Sequence, residues 1–139
     1  MMQNNNRPRV LIIDDEIDMR FYLMALVKSL DFEPILAKDG NQGLDELKKI
    51  KPSIIVLDIM MPQKGGSRVY QELVTHPDFK QIPIIFFSGV DKKAFLHHIK
   101  MLNVNLNQKI PDPQYFVAKN ADPEYLKDII KKCVQHNAL

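Results

Sequence analysis

At 139 residues the chain has room for one well-packed domain and not for two. Its 45% hydrophobic and 26% charged residues are the balance of an ordinary soluble globule. Lys and Arg together number 19 against 17 Asp and Glu; the resulting +2 is too small to indicate a nucleic-acid or membrane surface, and no apolar run approaches a membrane span.

The polar, Asn-rich start has no apolar stretch like a signal peptide, so residues 1–8 read as a flexible segment and 9–139 as the folded domain. From there, short β-rich runs alternate with helical patterns. Val10–Ile13, Ile54–Leu57 and Ile84–Phe87 are apolar throughout, as strands inside a covered parallel sheet must be. Glu33–Ala37, which contains Pro34, and Tyr115–Ala118 read as edge strands. Helix one carries Ile17, Phe21, Met24, Val27 and Leu30 at helical spacing. Helix two carries Leu44, Leu47 and Ile50, with Asn41 as its cap and Pro52 after its stop. Helix three is capped by Ser67, carries Val69, Tyr70, Leu73 and Val74, and stops before Pro77. The fourth runs from about Lys92 to Leu102, and residues 103–114 form a long polar loop after it. The last opens at Asp122-Pro123, a cap followed by proline at the first helical position. Its apolar stripe includes Cys133, the single cysteine, which reads as a small buried hydrophobe. One cysteine allows no internal disulfide and no zinc site, so a reducing, cytoplasmic location is expected.

The order is β-α five times, which predicts a parallel sheet with helices on both faces. The residues just beyond the central strands carry the chemistry. Strand one gives Asp14-Asp15-Glu16, strand three Asp58, strand four Ser88, and Lys119 comes after strand five. In open α/β sheets ligands sit beyond the carboxyl ends of the strands, at the switch in strand order, so these residues can converge. Several carboxylates in one pocket repel unless a hard cation neutralises them, and oxygen ligands with room for water and phosphate suit Mg²⁺. A carboxylate can also attack phosphorus to give an aspartyl phosphate, whose charge Lys119 and the Ser88 hydroxyl would meet. Each piece alone has an ordinary reading. The acidic run could be a solvated loop or a cap, Asp58 a turn residue, Ser88-Gly89 a turn and Lys119 a surface lysine. Their joint placement at one end of the sheet is the informative feature.

The set Asp14-Asp15-Glu16, Leu57-Asp58-Ile59-Met60-Met61-Pro62, Ser88-Gly89 and Lys119 resembles the signature of the bacterial response-regulator receiver family, over about 9–135. The resemblance implies a flavodoxin-like (βα)5 doubly wound sheet of order 2-1-3-4-5, as in stand-alone, chemotaxis-regulator-like receivers; no output domain is expected after Leu139 unless the chain is a fragment of a larger protein. It implies Asp58 as phosphoacceptor. Asp15, Asp58 and the backbone carbonyl of Met60 would bind Mg²⁺ directly, and Asp14 through water. Ser88 and Lys119 would contact the phosphoryl group, and Ser88 and Phe116 would form the switch. The donor would be a histidine kinase or histidine phosphotransfer protein, and the signal would leave through an unknown output protein, without nucleic acid or membrane insertion.

The chain departs from the family pattern in places. Asn120 follows Lys119 where the family usually has a cis proline; a cis bond to a non-proline residue costs roughly 2.5–4 kcal/mol, so a trans bond is expected. The loop Gln63-Lys64-Gly65-Gly66 lacks the common acidic residue, and the span from Ser88 to Lys119 is longer than usual. Met60 and Val90 flank the pocket with apolar side chains that cannot orient a water, which predicts slow loss of the phosphoryl group. His76, His97, His98 and His136 have no ligand spacing and read as surface residues. Three alternatives remain. One is a degenerate receiver that binds partners without phosphorylation. Another is a phosphohydrolase, which commonly needs an acid two residues after the nucleophile, where Met60 stands. The third is a flavin or nucleotide binder, whose phosphate Asp14-Asp15-Glu16 would repel.

Overall fold

The computed structural model describes residues 6–61 and 65–137. In chain order the elements are β1 (Arg9–Ile13), α1 (Ile17–Ser29), β2 (Glu33–Ala37), α2 (Gly40–Leu47), β3 (Ile54–Leu57), α3 (Gly66–Thr75), β4 (Ile84–Ser88), α4 (Lys92–Val104), β5 (Tyr115–Ala118) and α5 (Pro123–Asn137). The strands form one parallel sheet of order β2-β1-β3-β4-β5, as expected of a flavodoxin-like chain. The edge strands are β2 and β5, so Pro34 sits where only one side of the strand needs ladder partners.

The two-residue period of the strands divides the core. Leu11, Ile13, Ile55, Leu57, Ile84 and Phe86 face α2, α3 and α4. Val10, Ile12, Ile54, Val56, Ile85 and Phe87 face α1 and α5, where Cys133 is buried. Burial on both faces explains why the central strands are apolar at every position. The chain steps from β1 to β2 on one side, then crosses back past β1 to β3 on the other. The carboxyl ends of β1 and β3 therefore flank the switch in strand order, where a crevice opens.

Two expected caps are corrected. Asp39, not Asn41, caps α2: its carboxylate accepts the Gln42 amide at 2.8 Å, while Asn41 lies inside the first turn. Asp and Asn cap equally well, so composition could not choose between neighbours. For α3 the cap is Gly65, and Ser67 falls inside the helix with its hydroxyl 3.2 Å from His98. Asp122 does cap α5's entry, accepting the Glu124 amide at 2.9 Å. Residues 1–5 of the expected flexible segment, and Pro62, Gln63 and Lys64 of the loop after β3, lie outside the described residues. Arg7 sits 3.7 Å from Asp31, and the Pro8 carbonyl accepts the Glu33 amide.

The expected long loop is shorter and better fastened than its polarity suggested. Helix α4 continues to Val104. Ile110, only 2% exposed, inserts into the core, and Leu106 packs against it. The Asn103 side chain clasps Ile110, donating to its carbonyl and accepting its amide, both at 2.8 Å. Tyr70 on α3 donates to the Pro111 carbonyl at 2.9 Å. Asn103→Ala should therefore strand two backbone groups and cost about 1–3 kcal/mol. Urea unfolding would measure the loss, and amide exchange at Ile110 should accelerate; unchanged exchange there would show that the clasp does not hold the loop.

Candidate functional site

Main-chain ladders hold the site residues at the carboxyl edge of the sheet. The Asp14 amide donates to Ala37 at the end of β2, and the Asp58 amide donates to Ile13 at the end of β1. The Lys119 amide donates to Ser88 at the end of β4. Each side chain is thus fixed by the strand beside its own. The Lys119–Asn120 bond is trans, no cis peptide occurring among the described residues.

The four carboxylates and Lys119 converge at this edge. Lys119 Nζ lies 2.8 Å from Glu16 Oε1, 3.5 Å from Asp14 Oδ2 and 3.6 Å from Asp58 Oδ2. Carboxylate oxygens of Asp14, Asp15, Glu16 and Asp58 all lie within 4.8 Å of one another. Asp58 is 2% exposed, Asp14 1% and Ser88 1%. The Ser88 hydroxyl oxygen accepts the Val90 amide at 3.1 Å, which anchors the oxygen and leaves its proton to donate. The Met60 amide reaches Asp58 Oδ1 at 3.4 Å, while its side chain points to solvent, 68% exposed. Half-buried Phe116 lies on β5, with its ring 6.5 Å from Phe86 and 6.1 Å from Phe95 of α4. His97 and His98 are exposed and His76 half-buried, none beside the acidic cluster.

Compared with known proteins, residues 10–131 match the response regulator receiver domain family. The chain belongs to this family. A probable transcriptional regulator, ycf27, of Cyanophora paradoxa is 35% identical over 89 residues, 64% of this chain and 36% of that protein. Hybrid signal transduction histidine kinase D of Dictyostelium discoideum is 31% identical over 109 residues, 78% of this chain and 7% of that protein. The receiver thus spans about a third or less of these curated relatives. The fold matches chemotaxis protein CheY4 of Vibrio cholerae with a TM-score of 0.77, at 20% identity, over 91% of this chain and 98% of that one. Receiver domains act as phosphoacceptor switches in two-component signalling, where histidine kinases are their partners. Among the described residues of this receiver, no helix is long and apolar enough to cross a membrane.

Electrostatically the receiver's pocket is poised for cationic company. Burial pushes the Asp58 carboxyl up to about 6; the Asp14 charge adds to this, and Lys119 and the Met60 amide oppose it. Burial also raises Asp14, against the Glu16 amide and Lys119. Burial pulls Lys119 down, but its bond to Glu16 and the charges of Asp14 and Asp58 outweigh that and hold it above the usual lysine value. Asp14 Oδ2 is buried with no hydrogen-bond partner among the described residues. A buried anionic oxygen that accepts no hydrogen bond from the described residues, set among further carboxylate oxygens, is a donor set that fits a hard divalent cation. Two contacts were not legible in the sequence. One is the Glu16–Lys119 bond, whose partners stand 103 residues apart; the other is Arg20 of α1, which donates to the Asp14 carbonyl at 2.8 Å and fixes the acidic turn. The acidic run flagged Glu16 as a member of the site, but nothing in the pattern pointed to Arg20.

The raised Asp58 predicts a pH dependence. In metal-free protein the folded state keeps a proton on Asp58 up to about 6, while the unfolded chain loses it near 3.8. The associated stability is complete below the unfolded value and is lost as pH rises through about 6. Between pH 4 and pH 7 this group should cost on the order of 2 kcal/mol. Thermal melts in chelator should show the parent losing that much more than Asp58→Asn over the same range. Parallel slopes for the two proteins would refute the assignment.

Proposed function

We propose that this receiver is a phosphorylation-dependent signalling switch that takes a phosphoryl group onto Asp58 in the presence of Mg²⁺. The observation that carries the reading is Asp58 itself. Its carboxylate is 2% exposed and 3.6 Å from Lys119, beside an Asp14 oxygen with no hydrogen-bond partner among the described residues. An Asp58 oxygen attacks the phosphorus of a phosphohistidine. The O–P bond forms as the P–N bond breaks, and the electron pair returns to the imidazole nitrogen, which takes up a proton. Lys119 meets the phosphoryl oxygens with its positive charge, and the Ser88 hydroxyl donates to them. Asp15, Asp58 and the Met60 carbonyl would hold Mg²⁺ directly, and Asp14 through water. The bound ion supplies charge neutralisation for the carboxylates and the transferring group. Movement of Ser88 toward the phosphoryl group would free space for Phe116 to turn inward and carry the signal.

A histidine kinase or histidine phosphotransfer protein is the proposed donor, an interpretation supported by the relative that is a hybrid histidine kinase. The output is a protein partner and the location cytoplasmic. Neither the exposed Met60 thioether nor Val90, packed on the core, can orient water, which supports a long-lived phosphoryl group. The same thioether cannot protonate a leaving group, which disfavours a phosphohydrolase.

The test is intact-mass measurement after incubation with acetyl phosphate, with Mg²⁺ and with chelator. One metal-dependent phosphoryl addition is expected. No addition in either arm would hand the reading to a degenerate, phosphorylation-independent receiver.

A further inference from the structure

Lys119 is expected to serve the phosphoryl group, yet its ammonium is hydrogen-bonded to a different residue. Of its carboxylate neighbours among the described residues only Glu16, at 2.8 Å, is within bonding distance; the buried Asp14 and Asp58 stand at 3.5 and 3.6 Å. Glu16 is unlike those two. Its side chain is 61% exposed and lies at the mouth of the pocket. It occupies the N-cap position of α1, but its carboxylate makes no cap bond and turns to Lys119 instead. Its own amide is tied to Asp14 Oδ1 at 2.9 Å, so the backbone is fixed while the side chain is free to swing. An ion pair with so exposed a partner is weak and easily exchanged.

We infer that Glu16 is a specificity-determining residue, a carboxylate latch that holds Lys119 before phosphorylation and must release it to the incoming phosphoryl group. The inference rests on the reading of Asp58 as acceptor. A phosphoryl group on Asp58 offers more charge and three acceptor oxygens, so it wins Lys119 and expels Glu16 toward solvent. Until then the entering donor meets one more negative charge and a lysine already engaged. A donor docked by a protein has remote binding energy with which to displace the latch. A small free phosphodonor has none, and the more anionic it is, the more Glu16 repels it. Glu16 therefore favours transfer from a protein over adventitious phosphorylation by small anionic metabolites.

The test compares the full chain with Glu16→Gln, which keeps size and removes charge at an exposed position that caps nothing. In metal-free protein, Lys119 Nζ is labelled with limiting acetic anhydride and read by peptide mass spectrometry; labelling should rise several-fold in the variant. With Mg²⁺, the rate of phosphorylation by acetyl phosphate should rise about three- to tenfold, the scale of one unit charge a few ångströms away in a water-exposed mouth. The gain should be smaller with the less charged phosphoramidate and should shrink at high salt. Unchanged labelling together with unchanged rates overturns the latch. If neither parent nor variant gains a phosphoryl group from either donor, the acceptor reading fails and the specificity role falls with it, whatever the labelling shows.

Discussion

Replacing Asp58 with Asn is expected to abolish phosphoryl addition altogether while leaving a folded and more stable protein. The side chains are nearly isosteric, so the close packing of a residue 2% exposed is kept. The Met60 amide still finds an oxygen. The amide group has no anionic oxygen to attack phosphorus, so the chemical step loses its nucleophile. The same substitution removes a charge that burial and Asp14 both disfavour. The metal-free variant should therefore melt several degrees higher than the parent near neutral pH, as a gain on the order of 2 kcal/mol implies for a domain of this size. Loss of function with a gain in stability is an unusual pair, and general damage to the fold cannot produce it. Intact mass after acetyl phosphate treatment and a thermal melt in chelator measure the two halves. An Asn variant that acquires a phosphoryl group as fast as the parent would place the acceptor elsewhere.

The sequence disclosed the frame of this site well, for a physical reason. Strands buried on both faces must be apolar at every position, so Val10–Ile13, Ile54–Leu57 and Ile84–Phe87 announce themselves, and the first polar residue after each marks the sheet's edge. Asp14, Asp58 and Ser88 were legible because they break those runs. What the pattern did not reveal lies in contacts between segments. Asn103 looks like a loop residue by type, but its amide clasps Ile110 and turns a polar stretch into a fastened one. Ile110 is a single apolar residue among polar neighbours, too little to form a period, yet it is buried as deeply as the strands' own residues. Similarly, the Arg20–Asp14 and Glu16–Lys119 bonds depend on how α1 sits over the sheet edge, which no local pattern encodes. The expected caps of α2 and α3 each lie two residues too late because Asp39 and Asn41, and Gly65 and Ser67, are all acceptable cap types.

The paired glycines after the β3 turn should separate sharply on substitution. Gly66 opens α3, and its amide donates to the Ile59 carbonyl at 2.8 Å. A Cβ added there would stand 2.4 Å from the Asp58 carbonyl oxygen and 2.6 Å from the Ile59 Cα. Both are backbone atoms of the turn that carries the acceptor, so no side-chain rotation can relieve the overlap. The backbone of Gly66 is not in the left-handed region, so glycine is required here for space rather than for conformation. Either α3 or the Asp58 turn must move by roughly 1 Å to restore ordinary contact, and overpacking of this kind costs about 3 kcal/mol or more. A displacement of that size at a reacting group is worth about 100-fold in rate. At Gly65 the nearest atom to an added Cβ is the Ile59 carbonyl oxygen at 3.6 Å, an ordinary contact. Gly65→Ala should therefore cost about 1 kcal/mol or less, chiefly from a poorer cap. Urea unfolding and the rate of phosphorylation by acetyl phosphate, measured on both alanine variants, check this directly. Two variants alike in stability and rate would mean that the first turn of α3 does not brace the acceptor.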